Sequence, residues 1–107
     1  MKYKVIFKKG NTGLTVQVPN EISSVAILLM GDVQSNSRPW LDLLYRVLNG
    51  ESIHEECTGN NCTLEIKKDF TNITDNYSDE DNECIIETKE LVKIIELWTA
   101  KINSIKK

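Results

Sequence analysis

At 107 residues the chain has the size of one domain, and a 40% hydrophobic, 7% aromatic composition supplies one ordinary core without excess. A net charge of −3 and a pI near 5.1 count against nucleic acid as the main partner. The longest apolar run, Val25–Met30, has six residues, against the roughly 18 of a membrane span.

The start, from Met1 to Lys9, alternates and is cut by lysines, so it is no signal peptide and the expected compartment is the cytoplasm. Three cysteines, an odd number, agree with reduced thiols. Charge is unevenly spread. Residues 51–88 hold eleven acids against Lys67 and Lys68, a local −9, while residues 1–50 and 89–107 each sum to +3. No basic residue lies between Asp69 and Glu87. A polarised field of this kind acts on association with a partner of opposite charge rather than on the fold.

In chain order, residues 2–8 alternate as a strand, with Tyr3, Val5 and Phe7 on one face. Lys9–Gly13 is a turn with two glycines, and Leu14, Val16 and Val18 alternate as the second strand of a hairpin. Ser24–Met30 is a short apolar run before Gly31-Asp32. It predicts a third strand buried on both faces, with a helical turn from Asn20 or Ser23 as the alternative. Residues 38–48 form a helix that Ser37 can cap, Pro39 can enter and Asn49-Gly50 ends. Its stripe of Trp40, Leu41, Leu44, Tyr45, Val47 and Leu48 faces the core.

Ile53–Cys57 and Cys62–Lys67 predict a second hairpin about Thr58–Asn61. Pairing Cys57 with Cys62 sets Glu55 against Leu64. Residues 69–82 are mostly loop, anchored by Phe70 and Ile73, and Cys84–Ile86 adds a short strand. Thr88 then caps a last helix over about 89–104, where Leu91, Ile94, Ile95, Trp98 and Ile102 recur at helical spacing. The expected architecture is a single α+β domain, residues 1–107: an antiparallel sheet of four to six strands covered by the two helices.

Candidate chemistry is sparse. His54, Cys57, Cys62 and Cys84 are zinc-ligand types, but they lack the tight pairs of structural sites. His54 and Cys57 on one strand also point to different faces. One cysteine and one histidine on the same hairpin do not make a nucleophile–base pair. The acidic run Asp75–Glu83 fits no EF-hand register: from Asp79 the sixth residue is Cys84, and from Asp75 the third is Tyr77. No phosphate-binding loop is present in the sequence. The expectation is therefore no catalytic residues, no metal and no cofactor. The acids Asp75, Asp79, Glu80, Asp81 and Glu83 are the candidate partner-binding residues. A small zinc-binding enzyme or regulator built on His54 and the cysteines is the alternative, as is an adaptor for some other basic protein.

Gly59-Asn60, Leu64-Glu65-Ile66, the acidic stretch, then Ile86-Glu87-Thr88 and Leu91 leading to Trp98 resemble the small immunity proteins of bacterial contact-dependent inhibition and related polymorphic toxin systems. The resemblance covers about residues 59–98. It implies a non-enzymatic inhibitor that binds a cognate toxin domain in the producing cell and covers its active site or substrate path. The toxins of such systems are often nucleases with basic channels, which the acidic stretch would complement. Neither nucleic acid nor membrane is an expected partner.

Overall fold

A computed structural model describes residues 2–11, 13–77 and 83–105. The chain opens with β1 (Ile6–Gly10) and β2 (Gly13–Gln17), then a 3-10 turn at Asn20–Ile22. Next come α1 (Ser23–Ile27), continued by a π-helical stretch over Leu28–Val33, and α2 (Arg38–Leu48). Four strands follow, β3 (His54–Thr58), β4 (Cys62–Lys67), β5 (Phe70–Asp75) and β6 (Glu83–Glu87), before α3 (Thr88–Ile105). The first hairpin is a separate two-stranded ribbon, and β3-β4-β5-β6 form one antiparallel sheet. The α+β architecture is as expected, with one helical element more.

That element replaces the expected third strand. Ile22, Val25, Leu28, Leu29 and Val33 are buried while Met30 is exposed, a helical rather than a two-sided strand pattern. A six-residue apolar run carries no decisive period, and Gly31 does not stop the coil. The helix continues because the inner face of the sheet needs cover: α1 lies against β5 and β6, α2 against β3 and β4, and α3 packs on α2 and the β5–β6 side.

Three further expectations change. Cys57 sits opposite Leu64, not Cys62, so Glu55 meets Ile66. The tighter turn, closed by the Gly59 amide donating to the Cys62 carbonyl, moves the register by two. Parity survives such a shift, so the faces are unchanged. Residues 70–75 are a full strand rather than loop. Thr71 and Ile73 point inward, and Phe70 lies on the outer face, half exposed, instead of anchoring a loop. Ser37 precedes α2 without a side-chain cap, whereas Pro39 occupies its first turn as expected and Gly50 takes a positive φ just past its end. The Thr88 hydroxyl donates to the Lys67 carbonyl (2.6 Å) and accepts from Thr71 (2.9 Å), which ties the start of α3 to the sheet.

The core runs between sheet and helices: Leu64, Ile66, Ile73 and Ile86 meet Val25, Leu28, Leu29, Leu44, Leu91, Ile94 and Ile95, all buried. Trp40 and Trp98 are core anchors, as expected. Trp98 packs against Phe7 with ring centroids 6.3 Å apart, which fastens the first hairpin to α3. Its indole N–H donates to the Gln34 carbonyl at 2.8 Å. Gln34 has φ 47°, a conformation that side chains disfavour. It is held there by that bond, by its amide donating to Leu29 and by its Nε2 donating to Gly31.

One carboxylate joins the helical layer to the sheet. The Asn61 and Cys62 amides each donate to an Asp32 oxygen at 2.8 Å, and Asn61 Nδ2 adds a bond of 3.2 Å. Gly59 and Gly31 permit the approach. A Cβ on Gly59 would meet Asp32 and the Trp40 ring within 3 Å, and one on Gly31 would meet the Asn61 side chain.

The N-terminal segment is latched at the other end of the sheet. Lys2 Nζ and the Tyr3 hydroxyl both donate to Glu87, and the Lys2 amide donates to Glu90 at 2.7 Å. The hydrogen bonds from Lys2 and then Tyr3 hold the Glu87 carboxyl down at about 2, against 4.5 for an ordinary glutamate.

Chemical denaturation should show Trp98→Ala costing about 3–5 kcal/mol and Asp32→Asn about 1–3 kcal/mol; values near zero would remove either residue from the framework. Glu87 predicts an acid sensitivity. Its folded pKa is depressed, so the latch contributes fully above pH 4.5 and is lost as pH falls through about 2. A carboxyl NMR titration of Glu87 should have its midpoint near 2; a midpoint at the ordinary value would mean that the latch does not form.

Candidate partner-binding face

Alternation along the strands divides the sheet cleanly. Glu55 and Cys57, Cys62, Leu64 and Ile66, Thr71 and Ile73, and Cys84 and Ile86 face the helices. The other face presents His54, Glu56 and Thr58 from β3, and Thr63, Glu65 and Lys67 from β4. From β5 and β6 it presents Phe70, Asn72, Thr74, Glu83, Ile85 and Glu87. Among the described residues no helix or strand packs across it. Its charges are four glutamates against Lys67, counting His54 as neutral. Phe70 and Ile85 are diagonal neighbours across β5 and β6 and are 52% and 57% exposed. Phe70 begins β5 and Ile85 lies on the edge strand, so the apolar pair sits at one side of the face with the acids spread beside it. Exposed apolar side chains next to charge are a pattern found at protein-binding surfaces.

Of the five acids singled out in the sequence, two can be placed. Asp75 ends β5 and accepts from the Tyr77 amide at 3.1 Å. Glu83 begins β6, opposite Thr74, and accepts from Asn72 Nδ2 at 2.6 Å. Asp79, Glu80 and Asp81 lie outside the described residues. Asp75 and Glu83 thus lie at one end of the sheet, but only Glu83 belongs to the bare face; Asp75, opposite Cys62, has the inward parity of Thr71 and Ile73. Glu56, Glu65 and Glu87 on that face were not among the candidates. Their signal was strand parity, which already separated them from Leu64, Ile66 and Ile86.

The cysteines and His54 do not come together. Cys57, Cys62 and Cys84 face the helices as free thiols, two of them buried, while His54 is on the outer face. Burial pushes all three thiols up, and Cys62, with Asp32 and Asp75 adding to burial, reaches about 12. His54 stands on the opposite face of the sheet from the three thiols, so the structure does not bring the site built on His54 and the cysteines together. The small buried thiols are packing groups. A groove of about 420 Å³ between the first hairpin and α3 is lined by Leu14, Met30, Trp98 and Ile102 among others, with no titratable side chain in its described lining. No helix among the described residues is long and apolar enough to cross a membrane.

Compared with known proteins, the chain is 36% identical over 110 residues to a Bacillus cereus protein named "Immunity protein". The match spans the whole of this chain and 94% of the relative. No family profile matches the chain, and no solved structure does.

Proposed function

The chain belongs to the immunity-protein family, and from that membership we propose that it binds and neutralises a cognate toxin domain in the cell that makes it. It acts by occupying the toxin's active site or substrate path, with no catalysis of its own. The proposed setting is a contact-dependent inhibition or related polymorphic toxin system, and the site of action is the cytoplasm. The toxin is proposed to be basic, as a nuclease that grips phosphates must be.

The observation that carries the choice of surface is the bare outer face of the sheet. It is rigid, because every strand is held by its ladder and by helices behind it. Phe70 and Ile85 offer apolar contact on the β5–β6 side beside Glu83 and Glu87, and Glu56 and Glu65 carry negative charge across β3 and β4. In sequence, the acids Asp75, Asp79, Glu80, Asp81 and Glu83 add to that charge. Opposite charges across an interface raise the association rate and select the partner, and buried apolar anchors slow release. Neither needs a catalytic group.

The division of labour is testable with the toxin encoded alongside the chain. Replacing Asp75, Asp79, Glu80, Asp81 and Glu83 by Asn or Gln should slow association about tenfold or more at low salt and flatten its salt dependence. Dissociation should change less, and the fold should persist. Stopped-flow association at wild-type rate by the fivefold variant would contradict the role given to these acids.

A further inference from the structure

The outer face contains a cluster that a toxin contact does not explain. Glu56 and Glu65 stand directly opposite each other across β3 and β4, and like charges in that relation destabilise a strand pair. His54, the next outward residue along β3, lies on their diagonal. Its Nε2 is 3.6 Å from Glu65 Oε1 and 3.8 Å from Glu56 Oε1. One ligand atom from each of the three lies within 4.8 Å of the other two.

These separations are too long for direct hydrogen bonds. They are close to what a shared ion imposes, since tetrahedral zinc with ligands at about 2.0–2.1 Å keeps those atoms roughly 3.4 Å apart. Rotation of exposed side chains would bring the set to that spacing, and the backbone ladder already holds the three Cα positions. We propose that His54, Glu56 and Glu65 form a divalent-cation site on the outer sheet face, with Zn²⁺ as the preferred ion and water completing its shell.

The donor set argues for the ion. Imidazole with two carboxylates suits first-row transition ions, whereas Mg²⁺ and Ca²⁺ prefer oxygen throughout. Two carboxylates cancel the ion's charge, and the ion removes the repulsion between them. Lys67, whose Nζ is 3.4 Å from Glu65 Oε1, partly serves that purpose without the ion and competes with it. The site is free of thiols, because the cysteines face the helices. It rests on this geometry alone and does not depend on toxin binding.

The experiment is calorimetric titration of the purified full chain with ZnCl₂, paired with Co²⁺ absorption spectra. One ion per chain is expected. His54→Ala and Glu65→Gln should each weaken binding about tenfold or more, Cys57→Ser should leave it unchanged, and the Co²⁺ spectrum should lack a thiolate charge-transfer band. Circular dichroism of each variant checks that the fold is retained, which these exposed positions should allow. Absence of binding at millimolar Zn²⁺, wild-type affinity in His54→Ala, or a thiolate band would each overturn the site.

Discussion

The grip of Asp32 on the β3–β4 turn is the contact on which the rest of the architecture depends. A helical layer and a sheet can slide over one another if only apolar side chains join them, because dispersion and the hydrophobic effect have little direction. The Asp32 carboxylate supplies direction. Both its oxygens are engaged by backbone amides at the turn, so the π-helical stretch can sit at only one place along β4. The two glycines at the contact, Gly31 and Gly59, are there for proximity: each lies where a Cβ would strike the opposing element. An anion held by backbone donors forms short, charge-assisted bonds, stronger than neutral ones.

With the helical layer fixed on one side, the other side of the sheet is left open. Three helices cover the inner face and the N-terminal segment is latched to Glu87 at the β6 edge. The acids on the outer face cannot be there for packing. They leave a charged surface with a small apolar pair at one side, the surface proposed for the partner. Under the proposed function the fold separates its tasks, with stability made on the inner face and recognition proposed for the outer one.

Where one physical rule governed a segment, it was legible in the sequence. The first hairpin, α2, the β3–β4 hairpin, β6 and α3 all follow from alternation, helical spacing and turn residues, although β1 runs over Ile6–Gly10 rather than residues 2–8 and the alternating residues 2–5 are not strand. The failures occurred where local pattern and tertiary context compete. Ser23–Val33 is apolar on most sides because it is wedged between sheet and hairpin, so its period is blurred and a strand fitted the pattern better than the helix it forms. In β5 the inward positions are Thr71 and Ile73, and a buried threonine hydrogen-bonded to Thr88 looks like loop polarity until that partner is known. The β3–β4 register was missed by two residues because the turn closes on Gly59 and Cys62, a choice that Asp32 enforces from thirty residues away. Of the surface assigned to the partner, the run from Asp75 to Glu83 stood out by charge density. Glu56 and Glu65 did not, since each is a lone acid until the strands place them side by side.

Recognition through the outer face is most directly tested by amide and side-chain chemical-shift mapping of the labelled chain, titrated with a catalytically inactivated cognate toxin domain. The predicted result is a continuous patch of perturbation over Glu56, Glu65, Asn72, Thr74, Glu83 and Ile85, with α3 and the first hairpin little changed. A patch centred instead on the groove of Leu14, Met30 and Ile102, with the outer face unperturbed, would contradict the account.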